Sequence, residues 1–199
     1  MIREIIVSIY LLFHGLLFLF FKMFPMKNKI VFVASFKDNH LYTYRELKRA
    51  KFSGEIVFLC KKNMYQVFKN SVKAPVYLIE SGNIRDEIVA AYHMATAKTI
   101  LVDNYYGFLS VMNFKKGVEC IQLWHAAGAV KNFGLMDRSV ANRSKLAKRR
   151  FIKVYKNFHK VVVNSCAFAR IFELAFNTNE TQILPFGFPR TDFFFNHKI

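Results

Sequence analysis

"KIVFVAS", residues 29–35, is the stretch whose reading decides the fold. It is a short β-branched and aromatic run closed by a serine, and it sets a pattern. From Lys29 onward, runs of this kind alternate with longer mixed segments. "EIVFLC" (55–60), "PVYLIE" (75–80), "KTILVD" (98–103), "ECIQLW" (119–124) and "KVVVNS" (160–165) read as further strands. Between them "LYTYRELKRA" (41–50), "NMYQVFKN" (63–70), "NIRDEIVAAYHMA" (83–95) and "SCAFARIFELAF" (165–176) read as helices. Strands that are apolar throughout and separated by helices predict a parallel sheet covered on both faces, an α/β doubly wound domain. Such sheets bind ligands beyond the carboxyl ends of their strands. Ser35, Asp103, Asn104, His125 and Ser165 are therefore expected along one edge. No internal repeat, low-complexity tract or glycine-rich dinucleotide fingerprint interrupts the pattern.

Outside this domain, residues 1–28 are of another kind. "IIVSIYLLFHGLLFLFF" (5–21) is broken only by Ser8, His14 and Gly15. As a helix it would be roughly 25 Å long, slightly short of a ~30 Å hydrocarbon core. Arg3 precedes it and Lys22, Lys27 and Lys29 follow, which opposes translocation. No small-x-small cleavage site follows the run. The expected element is a helix lying in or dipping into the cytoplasmic leaflet, with a full span or a buried core helix as the alternatives. A second helix, around Asn142 to Phe158, places Ala147, Phe151, Val154, Tyr155 and Phe158 on one face. Lys145, Arg149, Lys153, Lys156 and Lys160 fall on the other. That basic face is either an ordinary solvated surface or a contact for anionic headgroups, each cation near the surface contributing on the order of 1 kcal/mol.

Composition narrows the partners. In 199 residues, 30 Lys and Arg stand against 13 Asp and Glu, a formal net charge of +17. Such a balance favours anionic lipid, nucleic acid or phosphate-bearing substrates. The basic helix is not interleaved with exposed aromatics and no RRM, KH or zinc-finger signature is present, so nucleic acid is not expected. Hydrophobic residues make up 53% of the chain, enough for a substantial core. Cys60, Cys120 and Cys166 form no CxxC pair; each lies in or beside an apolar run and is expected to be a small core residue in a reducing compartment. No metal cluster and no cofactor are expected.

The stretch "IQLWHAAGAVKNFG" (121–134) carries the chemistry. An apolar strand runs into Trp124–His125, followed by small residues and Lys131. Histidine is the side chain whose unperturbed titration lies nearest physiological pH, so at a strand end it can accept a proton. Gly128 and Gly134 bracket a segment read as the possible start of a helix, whose free N–H groups attract phosphate, with Lys131 adding a mobile cation. A base beside positioned positive charge is what phosphoryl transfer to a hydroxyl requires. A histidine ending a strand also serves simply as a packed or capped residue.

"LWHAAGAVKNFGL" resembles the Trp-His-(Gly/Ala)-x-Gly-x-x-Lys-x-(Phe/Leu)-Gly signature of the CDP-glycerol glycerophosphotransferase family, and its form is closest to the primase branch. "LVDNYYG" (101–107), "VVVNS" (161–165) and "FGFPRTDFFF" (186–195) resemble further blocks of that family. The resemblance implies a GT-B-type fold, with residues 29–185 as a Rossmann-like acceptor-side domain and 186–199 as the start of a crossover to a second domain. It also implies transfer of glycerol phosphate from CDP-glycerol to a lipid-linked disaccharide in wall teichoic acid biosynthesis, at the cytoplasmic membrane face, with CMP released. His125 would be the general base. Gly128 and Lys131 would contact phosphate or acceptor, Asp103 and Asn104 would sit at the acceptor cleft, and Arg190 and Asp192 would close the crossover. Read without the resemblance, Asp103–Asn104 and Arg190–Asp192 are equally turn pairs. Because the family holds its donor mainly in the second domain, the chain is expected to be an amino-terminal half. The alternatives are a non-catalytic, membrane-tethered binding module and a GT-B sugar transferase.

Overall fold

A computed structural model describes residues 2–126, 128 and 131–195. Seven strands form one sheet, β1 (Lys27–Ala34), β2 (Glu55–Cys60), β3 (Val76–Leu78), β4 (Ala97–Val102), β5 (Glu119–Gln122), β6 (Lys160–Val162) and β7 (Ile183–Leu184). All neighbours are parallel, in the order β3-β2-β1-β4-β5-β6-β7. From Ile30 to Ala34, β1 is buried without a break, as a strand covered on both faces must be. The order reverses between β1 and β4, so the crossovers on either side of that point leave a crevice at the carboxyl ends of these two strands.

Seven α-helices accompany the sheet: α1 (Ile2–Phe21), α2 (Asp38–Arg49), α3 (Lys62–Ser71), α4 (Ile84–Ala95), α5 (Arg138–Ala141), α6 (Lys145–Lys156) and α7 (Cys166–Phe176). Side chains close their amino ends where orphan N–H groups need partners. Asn83 accepts from Arg85 N, Ser144 from Ala147 N and Ser165 from Phe168 N. At its far end α7 stops on Asn177, which takes the left-handed conformation at φ +51°.

Helix α1 is not a free apolar rod. It packs on α4 and on the 3-10 turn Gly107–Val111, burying Leu11, His14 and Phe18. Fully buried His14 brings Nε2 to 2.9 Å from Glu87 Oε2 of α4 and stacks on Phe108. At the start of the helix Glu4 Oε2 meets Arg150 of α6 at 2.7 Å. The opposite face, with Ile2, Ile5, Ile6, Ile9, Leu12, Leu16 and Leu19, is exposed. Among the described residues α1 is the one helix long and apolar enough to cross a membrane. Its polar contacts explain why His14 and Glu4 interrupt an otherwise lipid-like sequence.

Several readings shift. The basic helix is split, since Asp137 caps the short α5 and Ser144 starts α6 afresh. Lys145, Arg149, Lys153 and Lys156 are exposed on α6, but Lys160 belongs to β6 and donates to Thr181 O at 2.8 Å. Exposed Leu146 and Ile152 flank the four cations on the same arc, so the outer face is amphipathic rather than purely charged. Cys60 and Cys120 are core residues, and burial pushes the Cys120 thiol up to about 12. Cys166, expected in the core, is exposed, because it occupies the outward side of the first turn of α7. No α-helix begins in the described part of the 128–134 segment; a 3-10 turn follows at Gly134–Met136. Ala127, Ala129 and Val130 of the Trp-His motif, and residues 196–199, lie outside the described residues.

Candidate active site

The crevice is organised around Asp103, the residue after β4. Its carboxylate is 1% exposed and accepts from Ser35 N at 3.1 and 3.0 Å and from Phe36 N at 2.7 Å. The Tyr106 hydroxyl lies 2.8 Å from Oδ1 and also contacts Ser35 Oγ at 2.8 Å. His40 Nε2, directed at Val33 O at 3.1 Å, is 3.3 Å from Oδ2. Burial alone would raise the Asp103 pKa. His40, Tyr106 and the Ser35 amide outweigh it and hold the carboxyl below its ordinary value. Asp103 thus ties the β1–α2 loop to the end of β4, one layer beneath the cleft surface at which the sequence placed it.

The part of Asp103 that serves the cleft is its main chain. Its carbonyl lies 2.8 Å from His125 Nδ1. A carbonyl only accepts, so Nδ1 carries the proton, which leaves Nε2 as the nitrogen that can accept one in the neutral tautomer. The imidazole is stacked on Phe36, with ring centroids 4.3 Å apart and planes 11° apart. The Nδ1 hydrogen bond, the Phe36 stack and a tilted contact with the Trp124 ring at 4.5 Å fix the ring.

The turn that presents His125 is strained. Trp124 has φ +60°, a conformation that costs a bulky residue about 1–2 kcal/mol. Three side chains hold it there. Trp124 N donates to Gln122 Oε1 at 2.8 Å, and Asn39 Nδ2 donates to Leu123 O at 3.0 Å and Trp124 O at 2.8 Å. Asn39 Oδ1 accepts from Arg190 N at 3.0 Å, while Arg190 Nη1 donates to His125 O at 3.1 Å. The indole packs against Phe133, Phe172 and Phe176. Gly134 closes the back of this cluster at φ +63°; a Cβ there would meet Ala175 O at 2.3 Å, so only glycine fits.

The resulting cleft has a volume of about 510 Å³. Asn104, His125, Gly128, Lys131 and Arg143 line it, with Tyr105 and Phe151 as apolar wall. The Asn104 side chain accepts from Tyr105 N at 2.8 Å, and its carbonyl accepts from Gln122 at 3.2 Å. Asp137 also borders the cleft; the Ser139 hydroxyl and amide hold its carboxyl below the ordinary range, with a small contribution from Lys131. Arg190 reaches the site through the His125 carbonyl and lies 3.8 Å from Asp38. Asp192 does not reach it. It is exposed at the rim of a separate hollow against Tyr42, Leu47 and Leu184. Among the described residues no three His, Cys, Asp or Glu side chains gather as a metal site.

Phe36, Asn39, Gln122 and Arg143 were not singled out from the sequence. Phe36 lies in the loop after β1 and Asn39 in the first turn of α2, so the carboxyl-edge rule that selected Ser35 extends to them. Arg143 was hidden among many cations, and nothing in sequence spacing marks it.

A doubly wound parallel sheet flanked by helices, with the His125 turn at the carboxyl ends of its central strands, is an α/β fold of GT-B type. The solved structure of the wall teichoic acid polymerase TagF shares this fold, with a TM-score of 0.68 at 14% identity over 99% of this chain and 50% of that one. A TagF variant soaked with CDPG gives a TM-score of 0.69. The model of CDP-glycerol:poly(glycerophosphate) glycerophosphotransferases matches residues 16–199, and the chain belongs to that family. The teichoic acid glycerol-phosphate primase of Bacillus subtilis (strain 168) is 31% identical over 191 residues, covering 96% of this chain and 50% of the relative. The teichoic acid ribitol-phosphate primase of Bacillus spizizenii is 33% identical over 184 residues, covering 88% and 43%. The chain spans about half the length of the curated relatives it matches.

Proposed function

We propose that this chain is the acceptor side of a glycerophosphotransferase of wall teichoic acid biosynthesis, with His125 as general base. The observation that carries the reading is the pinned imidazole: Nδ1–H is held on the Asp103 carbonyl, and the ring lines a cleft that Lys131 and Arg143 also line. In the reaction Nε2 takes the proton of an acceptor hydroxyl. The oxygen forms a bond to the glycerol-bearing phosphorus of CDP-glycerol as the bond from that phosphorus to the CMP oxygen breaks, and CMP leaves. Lys131 and Arg143 offset charge on the transferring group, while Asn104 and Gly128 shape the acceptor side. Asn39 and Arg190 are positioning residues that hold the Trp124–His125 turn. Asp103 positions the base from beneath. The acceptor is a lipid-linked disaccharide.

The test is a donor screen on the native protein isolated from its source cell. With the lipid-linked disaccharide present, CDP-glycerol is expected to yield one CMP per glycerol phosphate transferred, and nucleotide sugars to yield nothing. Use of a nucleotide sugar in its place would assign a sugar transferase. Acceptor binding with no turnover on any donor would leave only a tethered binding module.

We further propose a monotopic seat at the cytoplasmic membrane face, with the outer face of α1 in the leaflet and α6 at headgroup level. The Arg150–Glu4 contact holds the two helices together, and Lys145, Arg149, Lys153 and Lys156 point outward with Leu146 and Ile152. Binding to phosphatidylglycerol vesicles is expected to weaken as salt rises. It should fall at least about tenfold when Lys145, Arg149 and Lys153 are all changed to glutamate. Vesicle binding indifferent to both changes would remove α6 from the membrane surface.

A further inference from the structure

A second groove, of about 620 Å³, lies between α1 and α6 and shares Tyr105, Ser139, Arg143 and Phe151 with the wall of the His125 cleft. Four cations line it, Arg3, Lys61, Arg143 and Arg150, against two carboxylates, Glu4 and Glu80. The carboxylates are matched one to one: Glu4 with Arg150 at 2.7 Å and Glu80 with Lys61 at 3.2 Å. Two positive charges remain in excess. The Tyr10 hydroxyl, also on the groove wall, is buried without a hydrogen-bond partner. Such a group is costly to leave unmet unless a ligand completes it.

The position of the groove says more than its charge. One rim is α1, whose outer face exposes Ile2, Ile5, Ile6 and Ile9 in the same turns that supply Arg3, Val7 and Tyr10 to the groove. The far end opens on the cleft of His125. An amphiphile with its tail along α1 would leave the apolar phase at Arg3, set its linking phosphate among the cations, and bring its polar head to the base. We infer that this groove is the seat for the linking phosphoryl group of the membrane-borne acceptor, a phosphodiester monoanion or, matched to both excess charges, a diphosphate dianion. The inference rests on the acceptor being lipid-linked, as proposed above, and does not depend on the identity of the donor.

A phosphodiester headgroup of the bilayer shares this chemistry, so the experiment separates the two sources. Binding of decyl phosphate, below its micelle concentration and without vesicles, is measured calorimetrically on the native protein and on variants. Saturable binding is expected, displaced by inorganic pyrophosphate and by the lipid-linked disaccharide but not by dihexanoyl phosphatidylglycerol. Removing one charge-assisted contact should weaken it about tenfold in Arg143→Gln and in Arg3→Gln. Tyr10→Phe is expected to weaken it less, with α1 still docked. Absence of saturable binding, or equal binding by the charge variants, would overturn the proposal. Displacement by phosphatidylglycerol and not by the disaccharide lipid would make the groove a bilayer contact and overturn it equally. Because no donor is present, a failure of CDP-glycerol turnover leaves this result standing by itself.

Discussion

His125→Ala in the native protein is expected to lower turnover of CDP-glycerol by about 10²- to 10⁴-fold, the range that a positioned general base contributes. The same change should leave folding and vesicle binding intact. His125 is half-buried, and its side chain contributes one hydrogen bond and ring contacts with Phe36 and Trp124. Gln122 and Asn39 hold the turn by side-chain bonds to main-chain atoms of Leu123 and Trp124, which alanine at position 125 leaves in place. Loss of turnover at unchanged donor and acceptor KM, with an unchanged unfolding midpoint, is the pattern of a group that acts in the transition state. Normal turnover by the variant would remove the assigned base. Equal loss of turnover and stability would mean that His125 serves as a packing residue.

How far this site could be read in advance follows from where its parts come from. His125 was legible because it ends an apolar run and is followed by small residues and a lysine, all within one local stretch. The strands were legible for the same reason: β2 coincides with "EIVFLC", and β1 and β4 differ from their apolar runs by one or two residues. The reading overran β5 by two residues, since Trp124 leaves the strand through a left-handed turn that propensity does not favour in tryptophan. β7 has two residues and no periodicity to detect. The second half of the site was hidden because its contacts are distant in sequence. Asn39 reaches Trp124 across 85 positions and Arg190 across 151, and neither pairing leaves a local pattern. For α1 the sequence reading chose between a membrane helix and a core helix and offered no division into an exposed and a docked face. A buried histidine facing a buried glutamate on α4 is a tertiary fact, and hydropathy registers His14 only as an interruption.

Asp103→Ala is expected to cost about 3–5 kcal/mol, because it removes the carboxylate from a site where Ser35, Tyr106 and His40 are also buried. Ser35 N and Phe36 N would lose their acceptor, the Tyr106 hydroxyl would lose one of its partners, and the His40 ring would face a void. A domain of this size is stabilised by roughly 5–15 kcal/mol in all, so the loss is a large share of the total. Denaturant unfolding should show a markedly lower midpoint at neutral pH. The pH dependence separates this account from simple loss of packing. Asp103 has a folded pKa below its unfolded value of about 3.9, so its contribution is present above that value and disappears as pH falls through the lower, folded one. The difference in stability between the native protein and Asp103→Ala should therefore be full at pH 7 and shrink in strongly acidic solution. A difference independent of pH would assign the effect to lost volume rather than to the carboxylate. In either case the His125 tether is a main-chain carbonyl that alanine preserves. Any fall in turnover by molecules that remain folded would then measure how tightly the β1–α2 loop must be held for Phe36 to keep the imidazole in place.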